Sequence, residues 1–97
     1  MKLWLDDVRK PPDNSWHWVR TAEEAISWLA DGIVSEASLD HDLGYSASRM
    51  SGYDVVCYLE RVPDNLPWNG TKVHSMNPVG AEKMRVVLNK LYTKEPS

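Results

Sequence analysis

The segment KLWLDDVRKPP, residues 2–12, decides the fold class. Lys2–Leu5 is a short apolar run that predicts a first β-strand, and Asp6 and Asp7 follow directly at its end. The segment Val8–Ser15 contains two consecutive prolines, which predict a stiff loop without a helix. This part of the sequence therefore predicts a strand, an acidic strand end and an extended return.

Strands alternate with helices along the rest of the sequence. A capping box opens a helix after Thr21, apolar residues follow at helical spacing, and Gly32 ends it. Ser51 caps a second helix, and Asn77 caps a third over Pro78–Tyr92. The other predicted strands are Trp16–Arg20, Glu36–Leu39 and Thr71–Ser75, and the longer connections are a polar loop over Tyr45–Met50 and a turn-rich segment over Pro63–Gly70.

This alternation predicts an α/β fold with an open, mostly parallel sheet of about four strands. Ninety-seven residues suffice for one hydrophobic core, so we expect a single domain over residues 1–97. In open sheets of this kind, ligands bind outside the carboxyl ends of the strands. We therefore look for function at those ends.

The composition argues against several classes of function. A formal net charge of −3 gives no basis for a broad electrostatic grip on nucleic acid, but permits a nucleotide-sized ligand held by a few cations. The single cysteine, Cys57, excludes an internal disulfide and a multi-cysteine metal site. No apolar run approaches the ~20 residues of a membrane span, and the early acids do not resemble a signal peptide. We expect a cytoplasmic protein with no membrane partner.

Titratable side chains follow three of the predicted strands. Asp6 and Asp7 follow the first, residues 40–42 (Asp-His-Asp) follow the third, and His74 and Ser75 end the fourth. Each group alone has an ordinary structural explanation, because acidic turns are common and a lone strand histidine is usually a satisfied core residue. A parallel sheet, however, brings all three strand ends to one edge, so one site can collect them.

Such a cluster of carboxylates needs a counter-charge. Two unit charges ~4 Å apart repel by roughly 4 kcal/mol at an effective dielectric constant near 20. Mg²⁺ or Mn²⁺ neutralises carboxylates and keeps waters for a substrate phosphate. The helix that begins after Asn77 points free N–H groups at the same edge, and these favour an anion such as phosphate. A metal facing an anion pocket, with imidazoles between them, predicts phosphate-ester chemistry.

The same residues resemble the receiver domain of two-component signalling. Asp6 and Asp7 match that family's acidic pair, Asp40 its phosphoacceptor and Ser75 its Ser or Thr, while Gly52-Tyr53-Asp54-Val55 resembles its Gly-x-Glu-Val helix start. The sequence departs from receivers in three ways: the Pro-Pro loop replaces the first helix, the segment after Asp40 is longer, and the fifth strand with its essential lysine is absent. A phosphorelay role would need that lysine.

A closer resemblance covers nearly the whole chain. The strings LWLDDVRKPP (residues 3–12), LDHDLG (39–44) and HSMNPVG (74–80) resemble the cyclic-phosphate processing receiver domain family, receiver relatives found in bacteria and phages. The resemblance implies a reduced receiver-like, flavodoxin-like fold. It also implies a role in processing cyclic phosphates, such as the 2′,3′-cyclic ends of damaged RNA.

The residues and the resemblance together predict a divalent-metal-dependent phosphoesterase that opens a cyclic phosphate on an RNA 3′ end or a small nucleotide. Imidazoles are natural acid–base candidates because their pKa lies near working pH. The predicted metal ligands are Asp6, Asp7, Asp40 and Asp42, the catalytic candidates are Asp40, His41 and His74, and the phosphate contacts are Arg9, Ser75 and Asn77. Two alternatives stay open: a nucleotide-binding or partner-binding module of the phage sponge or inhibitor type, and a receiver-like phosphoacceptor at Asp40.

The receiver likeness also predicts an architecture. With strand order 2-1-3-4, right-handed crossovers place the helices after strands 2 and 3 on one face of the sheet. We expect the last helix, Pro78–Tyr92, to cross to the opposite face, where one helix covers only about two strands. Trp4, Trp16 and Trp18 should fill the remainder, either under the Pro-Pro loop or in a homodimer contact.

Overall fold

The computed structural model describes residues 1–44 and 49–93, and its helices and strands alternate as the sequence predicts. In chain order they are β1 (Lys2–Leu5), β2 (Trp16–Val19), α1 (Ala22–Ala30), β3 (Glu36–Leu39), α2 (Gly52–Arg61), a 3₁₀ turn (Pro63–Asn65), β4 (Thr71–Val73) and α3 (Pro78–Thr93). β2 and β4 end before the predicted Arg20 and Ser75. Most of the loop predicted over Tyr45–Met50, residues 45–48, lies outside the described residues.

The four strands form one parallel open sheet in the order β2-β1-β3-β4, so the predicted fold class and strand order are confirmed. The register aligns Leu5 with both Val19 and Leu39, and Leu39 with Val73. The strands therefore end level with one another. The residues that follow them emerge along a single edge, which is where the predicted site residues lie.

Side-chain caps fix where the helices begin. The Thr21 hydroxyl accepts the Glu24 N–H, and Ser51 forms a reciprocal capping box with Asp54. At α3 the Asn77 side-chain oxygen accepts the N–H of Gly80 at 3.1 Å. No helix in residues 1–44 and 49–93 is both long and apolar enough to cross a membrane.

The core lies between one face of the sheet and the three helices. Leu3, Leu5 and Leu39 are fully buried on that face because side chains alternate along a strand. The apolar stripes of the helices pack onto them, and the buried helix residues are Ala22, Ala25, Leu29, Val55, Val56, Leu59, Met84 and Leu88. Burial of these side chains supplies the main driving force for folding.

The last helix lies on the same face as the other two, so the prediction that it crosses the sheet is wrong. α3 packs against α2 and β4, and Met84 is fully buried in the same cluster as Leu3 and Val55. Its apolar stripe completes a core that α1 and α2 leave open beside β4. The opposite face leaves less space for this helix, because aromatic rings and the Pro-Pro loop already occupy that side.

The helix-free face, formed by the outward side chains of the sheet, carries the tryptophans. Trp4 is only 8% exposed, and its indole N–H donates to the Arg9 carbonyl at 2.8 Å. Trp16 and Trp18 are partly buried beside it, with Trp16 edge-on to Trp4 at 5.7 Å between ring centroids. For Trp4, the contact with Arg9 agrees with packing under the Pro-Pro loop, one of the two predicted arrangements; for Trp16 and Trp18 that arrangement stays a prediction. The homodimer contact stays a prediction.

Candidate functional site

The ends of β1, β3 and β4 line a small pocket at the carboxyl edge of the sheet. We call it the acidic pocket; its volume is about 230 Å³ and its lining residues are Asp6, Asp7, Val8, Arg9, Asp40, Asp42, His74 and Met76. The level strand ends explain this convergence, because Asp6, Asp40 and His74 each follow a strand directly. The pocket therefore lies where an open parallel sheet usually binds ligands.

Asp6 organises the loop that borders the pocket. Its side chain is 5% exposed, and its Oδ1 atom accepts the backbone N–H groups of Val8 at 2.9 Å and Arg9 at 2.8 Å. A proline-stiffened loop follows instead of a helix, so these N–H groups need a side-chain acceptor. The carboxylate is thereby held in one orientation at the end of β1.

Asp6, Asp7 and Asp40 place carboxylate oxygens within 4.8 Å of one another. Asp7 Oδ2 accepts the N–H of Gly44 at 2.9 Å, and Asp40 Oδ1 accepts the N–H of His41 at 2.8 Å. Burial raises the pKa of Asp40, and repulsion from the Asp6 carboxylate adds to the rise. Three oxygen donors with such mutual repulsion fit a hard divalent cation.

His74 is fixed on three sides. Its ring stacks on Trp4 at 3.9 Å between centroids, with an angle of 7° between the ring planes. Nε2 lies 3.0 Å from Asp6 Oδ2, and Nδ1 lies 2.7 Å from the Ser38 hydroxyl. Burial lowers the pKa of His74, although the neighbouring Asp6 acts in the opposite direction. A neutral ring satisfies both contacts by donating from Nε2 to Asp6 and accepting the Ser38 hydroxyl at Nδ1.

Ser38 and Trp4 are site residues that the sequence analysis missed. Ser38 lies on β3, between β1 and β4, and its small side chain lets the Trp4 and His74 rings meet above that strand. The alternation of side chains between the two faces of a strand was a signal that could have pointed to both residues. It places Trp4 on the same face as Asp6 and Ser38 on the same face as Asp40, but it leaves the ring stack undetermined.

The structure separates His41 from the acidic pocket. Its ring lines a different pocket, between α2 and α3, and its Nδ1 atom lies 2.9 Å from Asp42 Oδ1. The ring also packs against Gly80, where an added Cβ would lie 2.5 Å from it. The three predicted catalytic residues are therefore split, with Asp40 and His74 in the acidic pocket and His41 outside it.

Asp42 lines the acidic pocket but lies at its rim. Its side chain is 67% exposed, and among the described residues the close carboxylate group consists of Asp6, Asp7 and Asp40. The hydrogen bond from His41 lowers the pKa of Asp42, which keeps this carboxylate ionised. Of the four predicted metal ligands, three are brought together and Asp42 stands apart.

The three predicted phosphate contacts differ in position. Arg9 lines the acidic pocket. Ser75 hydrogen-bonds the Asp40 carboxylate and accepts the backbone N–H of Asn77 at 3.1 Å. The Asn77 side chain is engaged in capping α3, and its Nδ2 atom lies 3.4 Å from Asp42 Oδ1. Arg9 therefore lines the pocket directly, whereas Ser75 reaches it through Asp40 and Asn77 through Asp42.

The chain was compared with known protein families. The model of the family described as cyclic-phosphate processing receiver domain matches residues 1–90. No curated protein and no solved structure matches the chain.

Proposed function

Because the chain belongs to the cyclic-phosphate processing receiver domain family, we propose that it is a divalent-metal-dependent phosphoesterase that opens a cyclic phosphate. The substrate we propose is a 2′,3′-cyclic RNA end or a small cyclic nucleotide. The observation that carries this proposal is the meeting of three carboxylates with a half-buried histidine in one pocket. Such a combination suits the charge and proton transfers of phosphate-ester cleavage.

Asp6, Asp7 and Asp40 are the residues that would hold the cation, with Asp42 close enough to the pocket to assist. Burial and, second to it, repulsion from the Asp6 carboxylate raise the pKa of Asp40, and a bound cation would offset both effects, which supports this assignment. Bound Mg²⁺ or Mn²⁺ supplies Lewis acidity toward a phosphoryl oxygen and lowers the pKa of a water. The hydrogen bonds on Asp6 and Asp7 orient their carboxylates beforehand.

The proposed acid–base group is His74. Its ring is held by Ser38 and Trp4, and Nε2 bonds to Asp6, so proton exchange with a substrate would pass through the Asp6 carboxylate or replace the contact between Nε2 and Asp6. His41 is the weaker candidate because it lines the other pocket. Arg9 would bind phosphate oxygens at the mouth, and Ser75 would share its hydroxyl between Asp40 and the substrate.

The test is a chromatographic screen of the purified protein with Mg²⁺ or Mn²⁺. The substrates are 2′,3′-cyclic mononucleotides, RNA with a 2′,3′-cyclic end and cyclic dinucleotides. We expect a ring-opened phosphomonoester from the 2′,3′-cyclic substrates, and none after chelation. Intact substrates under every metal condition, with enzyme that is folded by circular dichroism, would contradict the proposal.

One observation favours a second candidate, a receiver-like phosphoacceptor at Asp40. The Asp40 carboxylate lies beside the acidic pair and accepts a hydrogen bond from Ser75, as the receiver resemblance implies. Against this candidate, Arg9 is the only cation among the described residues that line the pocket, and none of those lining residues is a lysine. Incubation with a small phosphodonor separates the two, because only the phosphoacceptor forms a stable acyl phosphate. A nucleotide-binding module would instead bind without turnover.

A further inference from the structure

A second concave surface adjoins the acidic pocket on the helix-free face. We call it the indole cleft; its volume is about 440 Å³ and it is lined by Lys10, Pro11, Pro12, Asp13, Asn14, Trp16 and Trp18. Flat indole and pyrrolidine rings form its apolar part, while an ammonium group, a carboxylate and an amide provide polar atoms. Pockets with this mixture bind small organic ligands, with rings for contact area and polar groups for orientation.

Hydrogen bonds fix two indole rings of this region, those of Trp18 in the cleft and of Trp4 beside it, before any ligand binds. The Trp18 indole N–H donates to the Asp6 carbonyl at 2.7 Å, and the Trp4 indole N–H donates to the Arg9 carbonyl at 2.8 Å. Both acceptors belong to residues that line the acidic pocket. Trp18 therefore offers ring surface rather than a donor, and a ligand pays little side-chain entropy for binding there.

The two concave surfaces are consecutive along one loop. Val8 and Arg9 line the acidic pocket, and Lys10 begins the indole cleft. One residue advances the chain by only about 3.3–3.6 Å. A ligand with its phosphate in the acidic pocket is therefore positioned to extend its attached group along the loop into the cleft.

Local charge favours a nucleotide as that ligand. One cation lies over each ring in a chain whose net charge is −3: Lys2 Nζ is 4.4 Å from the Trp16 ring centroid, and the Arg20 guanidinium is 4.1 Å from that of Trp18. Aromatic rings beside cations are the usual means of holding bases without a broad basic surface. The cleft is a bounded pocket, which suits one base rather than a long strand.

We propose that the indole cleft binds the nucleobase of the nucleotide whose cyclic phosphate lies in the acidic pocket. This inference rests on the proposed function for the phosphate end and adds the substrate class: a nucleoside 2′,3′-cyclic phosphate, free or at the end of an RNA. Recognition of the base then depends on Trp16, Trp18 and the Pro-Pro loop. A base-free cyclic phosphate loses those contacts.

Binding is measured by NMR on the metal-loaded protein, using the indole N–H signals of its five tryptophans. The probes are adenosine 2′,3′-cyclic phosphate and methyl riboside 2′,3′-cyclic phosphate, which keeps the sugar and the phosphate but lacks the base. We expect the Trp16 and Trp18 signals to shift with the adenosine compound, and the base-free compound to bind about 10- to 100-fold more weakly. Equal affinities for the two probes would overturn the inference.

A matched pair of variants locates the base. Trp16→Ala should weaken binding of the adenosine compound about 10- to 100-fold without changing the affinity of the base-free compound. Trp68→Ala is the control, because Trp68 is 65% exposed in the connection before β4, at the opposite edge of the sheet. If Trp16→Ala does not fold, the signal shifts in the native protein still decide. Shifts at Trp68, or none at Trp16 and Trp18, contradict the inference.

The outcomes also separate this inference from the proposed function. Base-dependent binding without turnover keeps the base site and refutes the esterase, whereas turnover with equal affinities refutes the base site alone. A second copy of the chain on the same rings would give shifts that depend on protein concentration and not on ligand. That result, like the absence of any binding, would overturn the inference.

Discussion

His74 makes structural contacts and also lines the acidic pocket. A lone strand histidine usually has a structural role, and its stacking on Trp4 and hydrogen bond to Ser38 fit that expectation. The same ring also contacts Asp6 in the acidic pocket. The residue types at the strand ends were predictable from the sequence, but the pairing of His74 with Asp6 depends on a distance that only the folded sheet sets.

At this scale the first prediction concerns pH. Burial lowers the pKa of His74 in the folded protein below 6.5, the ordinary value of an imidazole, so the unfolded chain takes up the proton first as pH falls. In the metal-free protein, the contribution of neutral His74 to the free energy of unfolding should be complete above pH 6.5. It should be lost as pH falls through 6.5 toward the lower pKa of the folded state. Urea unfolding at a series of pH values should show that decline in the native protein and a shallower one in His74→Gln. Lys72→Gln, an exposed β4 neighbour, serves as control, and identical slopes in all three proteins would contradict the assignment.

The second prediction concerns the carboxylates. Asp40→Asn removes one charge from a repelling group, so the metal-free variant should melt at a higher temperature than the native protein. The rise in melting temperature that Mg²⁺ or Mn²⁺ gives the native protein should disappear in the same variant.

Asp42→Asn is the matched control for the carboxylates. Its carboxylate lies at the pocket rim, outside the close group of three, and is stabilised by His41. This variant should keep most of the metal response and gain no metal-free stability. A normal metal response in Asp40→Asn, or a loss of metal-free stability above about 1 kcal/mol, would contradict the metal site.

At the scale of elements, short-range signals predicted most of the structure. The capping residues Thr21, Ser51 and Asn77 mark the helix starts because their side chains satisfy local N–H groups. The predicted ends of β2 and β4 lie too far toward the C-terminus, because the position where a strand ends depends on its neighbouring strands. The face of α3 was predicted wrongly because local sequence gives an apolar stripe, but not which part of the core is still open to receive it.

The third prediction concerns the start of α2. A Cβ added to Gly52 would lie 1.8 Å from the Asp40 carbonyl oxygen, and that contact involves backbone that is unable to rotate away. Gly52→Ala should lower the free energy of unfolding by about 1–3 kcal/mol or more, and should displace Asp40 and weaken metal binding. Ser27→Ala on the exposed side of α1 is the control. A Gly52→Ala protein with native stability and native metal affinity would contradict this packing.

At the scale of the whole molecule, the strand order determines where the site forms. β1 and β3 are neighbours and end level, so the acids that follow them meet, and β4 brings His74 to the same edge. The receiver resemblance predicted that strand order, and the order in turn determines which strand ends are neighbours. The helix-free face follows from the same topology once the Pro-Pro loop replaces the helix between β1 and β2.

The fourth prediction concerns that face. We expect a homodimer through Trp16 and Trp18 only in the absence of nucleotide, because a base in the indole cleft would occupy the same partly exposed rings. Sedimentation of the native protein without nucleotide should then give a mass near twice 11.1 kDa at high concentration, and Trp18→Ala should reduce it. Trp68→Ala, at the other edge of the sheet, should leave the association unchanged. A single monomeric species at every concentration would contradict the dimer.

The central claim is that Asp6, Asp7 and Asp40 form a metal-dependent site that opens cyclic phosphates. The most direct measurement follows adenosine 2′,3′-cyclic phosphate by ³¹P NMR in the presence of Mg²⁺, with the native protein, Asp40→Asn and Asp42→Asn in parallel. We predict that the native protein and Asp42→Asn convert the cyclic phosphate to a monoester and that Asp40→Asn does not. An unchanged phosphate signal with native protein, or equal turnover in all three, would contradict the account.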